Sequence, residues 1–327
     1  MIRPANLKPR ASLSLDLDNK WSYLKTHGDA GWDKLPSYLS IVVPRVLQLL
    51  SAHGLTITWF IVGQDAALEH HREILGSIAE AGHEVGNHSF HHEPWLHLYS
   101  RDQITDELAR AEDAIEGATG IRPDGFRGPG YSLSESVLDV LLERGYRYDA
   151  STFPTYPGPL ARAYYFMTAK LTPEEKKRRA KLFGTIADGN RPLKPYRWNT
   201  TAGSILEIPV TTLPLAKVPI HLSYLLYLGR FSRFAARNYF RTAMAFCRQA
   251  DVEPSILLHP LDFLGGDDDA DLSFFPAMDR PAQWKLDLAA EVFDGLCQNF
   301  DVLPMGRYAD TLAGVKLPTR RPDFAAT

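Results

Sequence analysis

The chain has 327 residues, 45% of them hydrophobic and 23% charged, with a formal net charge of −3. That length suits one large α/β domain or two ordinary ones, and the charge gives no general pull toward nucleic acid. The two cysteines, Cys247 and Cys297, sit in helix-like apolar patterns and read as buried thiols, excluding a disulfide framework or a cysteine metal site.

In chain order, the opening "MIRPANLKPRASLSLDLDN" has no apolar core of the kind a secretory signal needs. No run is apolar for the roughly 18 residues of a spanning helix, so the expected location is cytoplasmic. Strands are expected at 12–18 ("SLSLDLD"), 55–63, 83–88, 124–130, 146–151, 204–211, 255–260 ("SILLHP") and 300–305, where short β-branched runs occur. Amphipathic stretches between them predict helices. One ends at Gly54, one over 65–82 ends at Gly82, one opens with Ser100, one ends at Gly145, and two more cover about 231–250 and 281–298. Seven or eight strands alternating with helices predict a parallel α/β barrel in a single domain, 1–327.

Residues 155–200 break that rhythm and are expected to be a functional insertion. They hold ten basic residues against three acidic ones, a balance of +7. Residues 214–241 add aromatics, four Arg, one Lys and no acid. The bland reading is a solvated helix on an insertion that packs by its aromatics. The sharper one is a peripheral contact of 155–241 with a membrane surface, or recognition of a phosphate-bearing substrate.

Polar residues gather where the predicted strands end, which is where parallel α/β folds do chemistry. The first strand finishes in Asp16 and Asp18, and the third runs into His88 and His92. Others finish at Arg127 with Gly128-Pro129-Gly130, at Asp149 and at His259. Two histidines four apart on a helical turn point the same way and can bind one divalent ion, with Asp18 as the natural third ligand. Asp16 is then placed to act as general base on water, with Arg127 pairing to it. His259 is placed to protonate a departing atom, with Asp149 orienting its ring, and Gly130 is expected to offer a backbone N–H to an oxyanion. His83, His91 and His97 are left out of the metal site, and the acidic 264–273 loop is read as solvated.

These motifs resemble the polysaccharide deacetylase family, the NodB-homology domain of carbohydrate esterase family 4. "SLDLDN" resembles its first motif in an Asp-x-Asp variant, "NHSFHH" its His-Ser/Thr-x-x-His motif, and "FRGPGY" its Arg-x-Pro motif. "YDAST" resembles the fourth motif and "LLH" the Leu-x-His type. The resemblance covers about 10–155 and 200–310. It implies a distorted (β/α) barrel of about seven strands and hydrolysis of an acetamide on an amino sugar. It also implies a divalent metal ion, commonly Zn2+, with Co2+, Ni2+ or Mn2+ tolerated. The expected substrate is an N-acylated sugar or glycolipid.

The chain departs from the family pattern in three places. Asp-Leu-Asp-Asn replaces the common Asp-Asp-Gly, Gly130 stands where many members carry Tyr, and the fourth motif lacks its usual Trp residues. The first variant also occurs in relatives acting on small amides, which keeps an allantoinase-like amide or ureide substrate open. A non-catalytic glycan-binding barrel is the reading from a different class.

Overall fold

The computed structural model describes residues 8–156 and 186–324. Its strands are β1 (Arg10–Leu17), β2 (Thr58–Ile61), β3 (Glu84–Asn87), β4 (Gly125–Phe126), β5 (Tyr148–Asp149), β6 (Tyr196–Asn199), β7 (Ser204–Glu207), β8 (Ser255–Leu258), β9 (Asp301–Leu303) and β10 (Thr319–Arg320). In space they run β10-β6-β7-β5-β4-β3-β2-β1-β8, with β9 also paired to β1. From β7 to β8 every pairing is parallel. β6 joins β7 antiparallel at one edge.

The two ends of the parallel run meet. Thr211 N donates to Ser255 O at 2.9 Å, and Ser255 N donates to Thr211 Oγ1 at 2.8 Å. The sheet therefore closes as a distorted barrel, as the sequence leads one to expect.

All eight predicted strands form, and all but β1, which begins two residues earlier than expected, are shorter than their apolar runs. Two more appear. β6 lies inside the segment expected to be an insertion, because "YRWN" alternates and buries Tyr196 and Trp198 while Asn199 faces out. The remainder of that insertion, 157–185, lies outside the described residues.

The helices follow their caps. Ser100 accepts from Gln103 N and completes a capping box on the helix Arg101–Thr119, which Gly120 ends in a left-handed conformation (φ 72°). The helix expected over 65–82 is broken into Gly63–Ala66, a 3-10 turn Glu69–His71 and Arg72–Glu80. The break lets His71 Nδ1 donate to Asp65 O, 3.1 Å away. Three short helices were not predicted: Lys20–His27, Leu222–Gly229 and Met305–Thr311.

Leu13, Leu15, Val42, Val46, Trp59 and Ile61 are fully buried in the main core. Cys247 is buried, Cys297 half-buried, and both are free thiols. No helix among the described residues is long and apolar enough to cross a membrane.

Candidate metal centre and hydrolytic site

Strand register decides which side chains share a site. Leu15 of β1 is level with Leu258 of β8, Leu17 with Ile61 of β2, and Ile61 with Asn87 of β3. Asn87 is level with Phe126 of β4, Phe126 with Asp149 of β5, and Asp149 with Glu207 of β7. Asp18, His88, Arg127 and His259 each follow one of these positions by a single residue. All four emerge from one rim of the barrel.

Asp18, His88 and His92 come together there, each offering a ligand atom within 4.8 Å of the others. Asp18 Oδ1 lies 3.3 Å from His88 Nε2 and 2.9 Å from His92 Nε2. It is buried and has no hydrogen-bond partner, an orphan that a cation would satisfy. Burial alone would raise the Asp18 carboxyl, but His92 and His88 outweigh it and hold it well below the usual range. His88 Nδ1 sits 2.6 Å from Arg127 O, so that nitrogen donates to the carbonyl and Nε2 is the one turned to Asp18. Two imidazoles and a carboxylate match a catalytic donor set.

The expectation of a helical turn over 88–92 is corrected. The segment is irregular, and Ser89 (φ 60°) and His92 (φ 51°) are left-handed. Such conformations cost on the order of 1 kcal/mol each and need outside support. Glu107 supplies it, accepting from Phe90 N and His91 N at 3.0 Å each. It also binds the His91 ring, which keeps His91 off the metal cluster. Of the other two excluded histidines, His83 Nδ1 accepts from Ile57 N and His97 meets Ser132.

Asp16 is buried beside this cluster and accepts from Arg127 Nη1 at 2.7 Å. Arg127 is wholly buried under the Phe60 ring; Nη1 also donates to Ser14 Oγ (2.8 Å), Nε to Ala150 O (3.0 Å) and Nη2 to Met305 Sδ (3.5 Å). Gly130 is exposed at the head of its turn with φ 58°. A Cβ there would stand 3.1 Å from that of Pro94, so both the space and the left-handed φ favour glycine.

The expected pairing of Asp149 with His259 is not what the structure holds. Asp149 Oδ1 accepts from Ser151 Oγ at 2.6 Å, and Ser151 Oγ accepts from Gly128 N at 2.8 Å, so Asp149 braces the Gly128–Gly130 turn. Its carboxyl also hydrogen-bonds Glu207, its register partner. Burial raises both carboxyls, and the adjacent Asp149 charge adds to the rise at Glu207, so the pair shares a proton. His259 Nδ1 instead meets Ser223 Oγ at 3.1 Å.

Glu107, Glu207 and Ser223 were missed. Glu107 had a readable signal, an acid on the stripe Ile104, Leu108, Ala111 and Ile115 that the helix buries. The acidic 264–273 loop, expected to be solvated, is partly tied down: Asp268 pairs with Arg45, and Asp269 and Asp271 with Lys20.

A match to the polysaccharide deacetylase family covers residues 29–148, which hold His88, His92, Arg127 and Gly130 but not Asp16, Asp18 or His259. A peptidoglycan deacetylase of Helicobacter pylori is 34% identical over 109 residues, 33% of this chain and 36% of that protein. The peptidoglycan-N-acetylmuramic acid deacetylase PdaA of Bacillus subtilis is 34% identical over 105 residues, 32% of this chain and 39% of PdaA. The chain thus aligns with little more than a third of the length of these curated relatives. A Mycobacterium smegmatis protein assigned to the polysaccharide deacetylases superposes with a TM-score of 0.65 at 20% identity, covering 100% of this chain and 98% of its own. Residues 29–148 thus match the polysaccharide deacetylase family, and the chain as a whole shares the fold of the mycobacterial protein.

Proposed function

We propose that this chain is a metal-dependent hydrolase that removes an N-acetyl or related N-acyl group from an amino sugar or glycoconjugate. The observation that carries the reading is the buried Asp18 Oδ1, without a hydrogen bond, set against both His88 Nε2 and His92 Nε2 beside the Arg127-held Asp16. The donor set favours Zn2+, with Co2+, Ni2+ or Mn2+ as alternatives. When bound, such an ion supplies Lewis acidity toward an amide carbonyl and lowers the pKa of water.

The residues divide the remaining work. Asp16 takes the proton from the attacking water, and Arg127 fixes its carboxylate and balances its charge. Gly130 offers its N–H to the developing oxyanion. His259 returns a proton to the departing amine through Nε2, since Nδ1 is engaged. Asp149 holds the turn that aims Gly130.

A finer reading, that the sugar is lipid-linked or phosphorylated and met at a membrane surface, is supported by the segment after β7. Phe231 and Phe234 are 75% and 69% exposed, interleaved with Arg230, Arg233 and Arg237.

The test is acetate release from N-acetylglucosamine oligomers, peptidoglycan fragments, small N-acyl amides and polyprenyl-phosphate-linked amino sugars. Release from a sugar, abolished by chelator and restored by Zn2+, supports the reading; release only from small amides overturns the sugar assignment. Equal turnover of free and lipid-linked sugars contradicts the finer reading alone.

A further inference from the structure

His259 is left without the carboxylate expected to orient it, because Asp149 is engaged by Ser151 and Glu207 on the β5–β7 side of the barrel. Nδ1 of His259 faces Ser223 Oγ at 3.1 Å, from the first turn of the helix Leu222–Gly229. The Ser223 side chain is hydrogen-bonded in turn to Asp262, which is 1% exposed. Asp262 Oδ2 also accepts the backbone N–H of His259 at 2.8 Å. One carboxylate thus grips both ends of the same residue, the main chain directly and the ring through a hydroxyl.

Counting protons sets the direction of that chain. An ionised carboxylate only accepts, so the single hydroxyl proton of Ser223 goes to Asp262. The Ser223 lone pairs are then what His259 Nδ1 meets, and Nδ1 must carry a proton. Burial raises the Asp262 carboxyl, while His259, the Ser223 hydroxyl and the buried ammonium of Lys285, which donates to Leu261 O at 2.8 Å, oppose that rise and favour its charged form. The other ring beside His259 gives no competing charge. His221 stands edge-on at 6.1 Å, and burial, with His259 nearby, pushes it down to about 3, so it stays neutral.

We propose that Ser223 and Asp262 are positioning residues that hold the neutral His259 ring in its Nδ1–H form, leaving Nε2 to exchange the proton with substrate. The consequence for turnover rests on the function proposed above. The tautomer does not.

The experiment uses the full chain loaded with Zn2+ and labelled with 15N-histidine. His259 is assigned by the signal lost in His259→Gln, and spectra are recorded on the basic side of its titration. The expected result is a protonated Nδ1 and a bare Nε2 in the parent protein, shifting toward the Nε2–H form in Ser223→Ala and Asp262→Asn. Ser223→Thr, which keeps the hydroxyl, restores the parent signal. On N-acetylglucosamine oligomers kcat falls roughly tenfold to a hundredfold in Ser223→Ala with KM nearly unchanged, and recovers in Ser223→Thr. An Nε2–H ring in the parent protein, or a ring signal indifferent to Ser223→Ala, overturns the assignment. A tautomer that behaves as stated in a protein releasing acetate from no sugar upholds the positioning and sinks the activity instead.

Discussion

Asp16 and Asp18 stand two residues apart and have unlike neighbours. Asp16 faces a buried guanidinium, and Asp18 faces two imidazole nitrogens. Their substitutions should therefore separate. Asp16→Asn is expected to lower kcat by about 10²–10⁴ while leaving metal binding nearly intact, which parallel kinetics and metal titration would check. Equal loss of both would assign Asp16 to the ion as well. Arg127→Met strands the buried Asp16 charge, so urea unfolding should show a loss of about 3–5 kcal/mol. At this scale the sequence was informative where one residue type suffices: carboxylates and imidazoles at strand ends. It was silent on Ser223 because a serine in "HLSYLLY" looks like any other, and only the approach of β8 to that helix makes it a partner of His259.

The loop 88–92 is the element on which the centre depends, and it is a strained coil held from outside. Two left-handed residues and two N–H donors converge on the Glu107 carboxylate. Glu107→Gln keeps the shape but cannot accept as strongly from both N–H groups and the His91 ring, so Zn2+ affinity should fall about 10–100-fold in a competition titration. Unchanged affinity would mean the loop is held by its other bonds, such as Gly63 N to Ser89 O at 2.9 Å. Periodicity located most helices because their caps are written locally, as at Ser100, and it located strands because β-branched runs are short and apolar. It placed His88 and His92 on a helical turn wrongly. A four-residue spacing carries no record of the φ angles that a distant carboxylate enforces.

Over the whole molecule, the parallel pairing of β8 with β1 sets Leu258 level with Leu15, so His259 follows on the strand beside Asp16. Lys285, on the helix Ala282–Asn299, is fully buried against Leu261 O, and burial pushes its ammonium down to about 8, with Asp262 first among the charges opposing. Below that pH the folded and unfolded chains both hold the proton, and the cost of burying it is fully present. As pH rises from about 8 toward the unfolded value the folded chain has lost the proton and the unfolded chain still binds it, so stability rises. Relative to Lys285→Met, the parent protein should therefore gain on the order of 3 kcal/mol between pH 7 and 10 in urea titrations. The comparison with the variant matters because buried tyrosines such as Tyr38 and Tyr148, raised by burial, pull stability the other way above pH about 10. A gap between the two proteins that does not move with pH would show that Lys285 titrates as if in water.

The claim on which the rest stands is that residues 18, 88 and 92 form one cation site. Equilibrium dialysis of the metal-stripped protein against Zn2+, with His88→Ala and His92→Ala alongside, addresses it directly. The expected result is about one tightly held ion per chain in the parent protein, with affinity lowered at least a hundredfold in either variant. No ion retained by the parent protein, or retention that both variants share, would contradict it.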